Sequence, residues 1–258
     1  MRFLLNLLLL FLFVPLFSSA QGNYQPGLIV NLQGDTIRGS IDYSEWQNNP
    51  ERISFEANGA DAVQKLSAGE IKFFSVAIGH LAKFVAYDGP ISTDVTDINH
   101  LSVGRDSSYR IGKVFLKVLQ EGKNLLLFSY SDDPKTRFFI APNYTEKPVE
   151  LVYRIYYNSV DENGLDRTSY ERTFKSQLYQ QAVNAGVMNN TLKKQIRAAD
   201  YKEADLLHIA GLINGISEAD QAKNNPNKTK GFNKAFAIGG GIAVILFMII
   251  DFGKFHGR

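Results

Sequence analysis

The fold class expected from this sequence is a β-rich α+β protein: a mostly antiparallel sheet or open barrel, then short helices, plus one C-terminal transmembrane helix. Three observations lead there. Short apolar stretches with period-two alternation, punctuated by Gly, Asn, Asp and Pro, run from residue 27 to residue 157. Around residue 170 the apolar spacing changes to a helical one. Near the end, residues 235–250 carry no charge, as a membrane span requires.

The chain begins with Arg2, continues through the apolar run Phe3 to Phe17, broken only by Asn6 and Pro15, and reaches Ser18-Ser19-Ala20. Charge, apolar stretch and small-residue site in that order define a secretory signal peptide over 1–20. The first strands follow. Leu28, Val30 and Leu32 alternate with Ile29 and Asn31; after Gly34-Asp35, Ile37, Gly39 and Ile41 alternate with Arg38 and Ser40. This predicts a β-hairpin around a tight turn. Asn48-Asn49-Pro50 reads as a turn, and Ile53-Ser54-Phe55 starts another strand.

This segment resembles the start of uncharacterised exported proteins of Bacteroidota, many of which carry an outer-membrane β-barrel after it. The residues that carry the resemblance are Gly27, Ile29, Val30, Leu32, Gly34, Asp35, Thr36, Ile37, Gly39, Ile41, Asp42, Tyr43, Trp46, Asn49, Pro50, Ile53 and Phe55. It is good over about thirty residues and looser to about residue 215. The resemblance implies an envelope protein of unknown activity and no catalytic residues. The chain departs from the pattern by ending at residue 258, without room after 231 for barrel strands of roughly ten residues each.

Further strands are expected over Glu70 to Ala77, Ala82 to Tyr87, Tyr109 to Leu119, Asn124 to Ser131, Arg137 to Ala141 and Val149 to Tyr157. Gln120-Glu121-Gly122-Lys123 is a hairpin turn. Helical spacing predicts helices over Thr173 to Ala185, Asn190 to Ala198 and Tyr201 to Asn214. In the last, Ala204, Leu207, Gly211 and Leu212 lie along one side, with Leu206, Ile209 and Ile213 adjoining, and Asp200 and Glu203 form a capping box. The resulting division is a signal peptide (1–20), a β-rich exported domain (21–169), a helical region (170–216), a basic polar linker (217–234), a transmembrane helix (235–253) and a short tail (254–258). The nineteen residues of 235–253, at about 1.5 Å each, approach the ~30 Å hydrocarbon thickness. Its rival reading, a first strand of a lost barrel, is disfavoured because 242–250 does not alternate.

Chemistry is sparse. The absence of cysteine excludes disulfides, thiolate metal sites and cysteine nucleophiles. A net charge of +2, with Lys and Arg spread along the chain, gives no nucleic-acid footprint. His80, His100, His208 and His256 have no metal-ligand spacing. Asp94, Asp97 and Asp106 fall in a polar loop with Thr93 and Thr96, a weak candidate for cation binding against the commoner solvated loop. Asn143-Tyr144-Thr145, Asn189-Asn190-Thr191 and Asn227-Lys228-Thr229 match the glycosylation sequon, a pattern easily met by chance. Tyr153, Tyr156 and Tyr157, with Phe138 and Phe139, are candidates for a glycan- or peptide-binding face, against cross-strand packing as the commoner use.

The expectation is a non-enzymatic cell-envelope protein, an interaction or structural module in the periplasm held in the inner membrane through 235–253. It needs no cofactor, and its partners are an envelope protein or a glycan. The alternatives are a truncated relative of an outer-membrane barrel protein, and a hydrolase whose site is assembled only by tertiary structure.

Overall fold

The computed structural model describes residues 22–158 and 168–216, apart from positions 45, 47, 61 and 134. The expected signal peptide, linker, transmembrane helix and tail lie outside the described residues. Among the described residues no helix is long and apolar enough to cross a membrane.

Ten strands form one antiparallel sheet: β1 (Tyr24–Asn31), β2 (Thr36–Asp42), β3 (Arg52–Ala57), β4 (Val63–Ser67), β5 (Ile71–Ala77), β6 (Leu81–Ser92), β7 (Tyr109–Gln120), β8 (Leu126–Ser131), β9 (Thr136–Ala141) and β10 (Val149–Glu150). Their order is β10-β9-β8-β7-β6-β5-β1-β2-β3-β4. Two meanders are therefore joined where β5 pairs with the free side of β1. The expected first hairpin is present, with Ile29 opposite Ile37. Its turn is closed by Asn31, which accepts from the Asp35 N–H through its side chain at 2.8 Å. Gly34 there has φ 99°, a left-handed conformation that glycine adopts without a Cβ clash.

Period-two alternation gives the sheet two apolar faces. On one, Ile29 pairs with Phe74 and Phe74 with Phe84; this row continues through Lys117 and Ser129 to Phe138. Phe74 and Phe84 stack with ring centroids 4.5 Å apart, and Trp46 meets both edge-on. Ile41, Ile53, Phe55 and Phe115 join this cluster. The sheet curls until the β2–β3 connection reaches β7 and β8. There the Asn49 amide donates to the carbonyls of Phe115 (2.7 Å) and Ser129 (3.1 Å), and accepts from the Ser131 N–H (3.0 Å).

The same face of β8 and β9 is covered by three helices: α1 (Phe174–Asn184), α2 (Asn190–Ala198) and α3 (Glu203–Asn214). Phe174, Leu178, Leu192, Ile196, Leu206, Ile209 and Ile213 pack on Leu125, Leu127, Phe138 and Ile140. Asn189 caps α2 by accepting from the Leu192 N–H at 2.9 Å, so this sequon asparagine already has a local role.

Several expectations need correction. Asp200 does not cap α3: the cap position is Lys202, with no side-chain bond. The Asp205 carboxylate instead turns back to accept from the Asp200 N–H at 2.7 Å. The buried side of α3 is formed by Leu206, Ile209, Ala210, Gly211 and Ile213, so Ala204 is not on it. The strand expected over Val149 to Tyr157 is two strands in different sheets. β10 closes the large sheet, whereas β11 (Arg154–Tyr157) pairs with β12 (Thr168–Glu171) in a separate two-stranded sheet. Leu151, wholly buried among the helix-facing residues, turns the chain between them.

Candidate functional site

The second face of the sheet bears its own apolar row. Val30 pairs with Phe73, Phe73 with Val85, and Val85 with Leu116. A parallel row joins Val118, Phe128 and Phe139. Over β6 to β9 this face forms a cluster with Tyr87, Ile91, Val114, Leu126 and Tyr130. The β9–β10 connection, residues 142–148, crosses this face as a strap.

Asn143 organises the strap. Its side-chain oxygen accepts from the Thr145 N–H (2.8 Å), the Thr145 hydroxyl (2.6 Å) and the Glu146 N–H (3.1 Å), and its amide donates to Glu146 (3.1 Å). This is an Asx turn, which gives the second sequon asparagine a structural use too. Tyr144 then points down onto the sheet. Its ring meets Phe128 edge-on, and its hydroxyl donates to Glu121, which is also ion-paired to Lys83. Burial pushes the Tyr144 phenol well above its usual range, with the Glu121 carboxylate adding to the effect. The hydroxyl therefore remains a donor and the strap remains pinned.

Between strap and sheet lies a cavity of roughly 290 Å³. Val30, Phe73, Val85, Phe128 and Tyr144 wall it, and Leu32, almost half exposed, stands at its mouth. Lys72, Asn143 and Glu146 supply the polar groups at the rim. A predominantly apolar cavity with a few polar groups is the usual form of a small-ligand site, and this one is at the small end of the range.

The residues singled out from sequence are distributed differently. Phe138 and Phe139 alternate in β9 and lie on opposite faces, Phe138 under the helices and Phe139 on the strap side; they do not line one binding face. Tyr157 is bound through its hydroxyl to the Ile98 carbonyl (2.9 Å). Tyr153 leaves this group and stacks on Tyr201, beside Phe138.

The carboxylates of the polar loop are engaged by protein partners. Asp94 is buried and ion-paired to Lys135 at 2.7 Å. Asp97 accepts from Asn99 and His100, and Asp106 from the Ser108 N–H. No cluster of three or more His, Asp or Glu that could hold a metal occurs among the described residues. His80 lies in the β5–β6 turn and His208 on α3; burial lowers the affinity of His80 for a proton. His256 lies outside the described residues.

Around Asp94 is an ionic group that sequence reasoning missed. Burial pushes the Lys135 ammonium below its usual range, against the pull of Asp94. Arg154 bridges Asp94 (3.8 Å) and Glu171 (2.9 Å). Glu171, on β12, also accepts two bonds of 2.8 Å from Arg105. The two-stranded sheet is thus tied to the 93–108 loop by charge. Hydrogen bonding from Arg105, then from Arg154, holds the Glu171 carboxyl down at about 2, against an ordinary 4.5. A carboxyl with a depressed folded-state pKa stabilises the fold above its unfolded value and loses that contribution on acidification. Stability should therefore fall between about pH 4.5 and pH 2 by at most about 3 kcal/mol, and by less because Arg105 is half exposed. Urea unfolding across that range measures it. Glu171→Gln should flatten the profile, and an unchanged profile would refute the assignment.

The chain matches no family model, no curated protein and no solved structure.

Proposed function

We propose that this protein is a non-enzymatic cell-envelope binding module that holds an apolar small molecule, such as a lipid acyl chain, between the strap of residues 142–148 and the sheet. The cavity walled by Val30, Phe73, Val85 and Tyr144 carries this reading. A sheet face that served only as core would be closed by side chains, because protein interiors pack densely. Here the strap is held by Asn143 and by the Tyr144–Glu121 bond, and the space beneath it is left open.

The cellular setting in this proposal comes from sequence. Residues 1–20 have the order of a secretory signal, 235–253 have the length and apolarity of a span, and 27–55 resemble exported Bacteroidota proteins. An exported domain tethered at a bilayer is placed where acyl chains are abundant. Two of the more buried carboxylates are engaged by cations, Asp94 by Lys135 and Glu171 by two arginines, which leaves neither free as a general base.

The test is photocrosslinking in cells. Leu32 is replaced by benzoylphenylalanine in the full-length chain, which is irradiated, purified and weighed intact. A covalent adduct with the mass of a lipid is expected. An adduct that is another polypeptide, or no adduct while the same residue at Leu66 behaves identically, would overturn the reading.

A further inference from the structure

A second cavity, of roughly 350 Å³, opens on the helical side of the protein, between β9, the start of α3 and the segment leading into β11. Its walls differ in kind from those under the strap. Tyr153 and Tyr201 lie nearly parallel, centroids 4.8 Å apart and planes 13° apart. Thr96 and Thr136 also line it, with Lys202 and Glu203 from the start of α3.

The aromatic pair is rigid. The Tyr201 hydroxyl donates to the Leu151 carbonyl (2.8 Å) and accepts from the Phe138 N–H (3.0 Å), while its ring is braced edge-on by Phe138 and Phe174. Tyr153 is held by Tyr201 on one side and meets Phe174 edge-on. A platform fixed in advance loses little side-chain freedom on binding.

Both cations at this cavity have a partner within the protein, and Glu203 adds a carboxylate. Lys135, at the base, is neutralised by Asp94, and Lys202 lies 3.2 Å from Asp200. The cavity therefore offers charged hydrogen-bonding groups of both signs, with its cations already paired. That combination does not favour a strongly charged ligand. It does suit a neutral one that carries many hydroxyls and has an apolar flat face, since hydrogen bonds to charged groups are the stronger ones and aromatic rings accept weak C–H contacts.

We infer that this cleft is a binding site for a neutral saccharide, with a pyranose ring laid against Tyr153 and its hydroxyls shared among Thr96, Thr136, Lys202 and Glu203. It is separate from the apolar cavity, which lies on the other face of the sheet, so neither proposal depends on the other.

The test uses the full-length chain in a zwitterionic detergent without a sugar headgroup. Cellobiose, maltose and N,N′-diacetylchitobiose serve as probes, with saturation-transfer NMR as the readout. At least one should give transfer concentrated on its ring C–H protons. Tyr153→Ala should weaken that binding roughly tenfold or more, whereas Tyr153→Phe, which keeps the ring, should stay within about twofold of the parent. Glu203→Gln, on the exposed rim, should weaken binding without altering thermal unfolding, which separates loss of the site from loss of the fold. Transfer to none of the three saccharides, or equal binding by the parent, Tyr153→Ala and Glu203→Gln, would overturn the inference.

Discussion

Asn214→Ala should destabilise the protein by about 3–5 kcal/mol, because it leaves two backbone N–H groups and a carbonyl unpaired and opens a void. Asn214 is the last residue of α3 and is buried. Its oxygen accepts from the N–H groups of Asn124 (3.0 Å) and Leu125 (2.9 Å), and its amide donates to the Leu125 carbonyl (2.9 Å). The Asn124 amide answers by donating to the Ile213 carbonyl at 2.7 Å. The helix end is thereby fastened to the β7–β8 turn. The fit depends on Gly122: a Cβ there would lie 2.0 Å from Cγ of Asn214. Gly122→Ala should therefore be damaging as well, and through the same contact. Urea unfolding of the two single variants and the double variant decides the matter. The double variant should lose clearly less than the sum of the singles, since removing the amide makes room for the new methyl. Simple additivity would refute the coupling.

The second large effect concerns Arg137, which is only 1% exposed. Its guanidinium donates to Asp132 (2.6 Å), the Ser92 carbonyl (2.7 Å) and the Lys135 carbonyl (3.1 Å). Asp132 is partly open to solvent and has a second cation, Arg110, at 3.2 Å. The two halves of the pair are therefore unequal. Asp132→Ala strands a buried positive charge and should destabilise by about 3 kcal/mol or more, whereas Arg137→Met fills similar volume and leaves Asp132 with Arg110 and water, for a loss nearer 1 kcal/mol. Thermal unfolding of both variants tests this order. A larger loss in Arg137→Met would show that the arginine's packing and carbonyl bonds outweigh its charge.

Much of the sheet was legible in sequence because its residues obey one local rule. The Leu28–Asn31 and Ile37–Ile41 runs are strand-favouring segments on either side of a Gly34-Asp35 turn, and the hairpin follows. The helix over Asn190–Ala198 was also legible, whereas its cap, Asn189, was not read from the sequence. β4 was missed because Val63–Ser67 is an edge strand with an exposed, polar sequence that carries no burial pattern. The break between β10 and β11 was missed because Val149 to Tyr157 is uniformly rich in strand-favouring residues. What divides them is the burial of Leu151 against helices that come later in the chain.

The sites were less legible, for the same reason. Tyr144 is a strap anchor only because Glu121 stands beneath it, and Tyr201 is a wall of the second cleft only because α3 returns to β9. The tyrosines at 153, 156 and 157 were visible as a group, but Tyr153 stacks on Tyr201 whereas Tyr157, in the separate small sheet, bonds to the Ile98 carbonyl. Asp94 reads as a solvated loop residue until Lys135 and Arg154 are placed around it.

The single crossing in the sheet bears on how the protein is made. Each strand from β6 to β10 pairs with its immediate predecessor, and β2, β3 and β4 do likewise, so most partners arrive in succession. β1 is the exception. One of its sides waits while the chain from Asn31 to Ile71 is delivered, until β5 arrives. During that interval a strand containing Leu28, Ile29 and Val30 presents open backbone groups and apolar side chains to whatever lies nearby. Newly delivered molecules are then most vulnerable to pairing with one another, and slow delivery of residues 32–70 prolongs the exposure. Pairing of β1 with β5 is therefore the long-range step on which completion of the sheet waits.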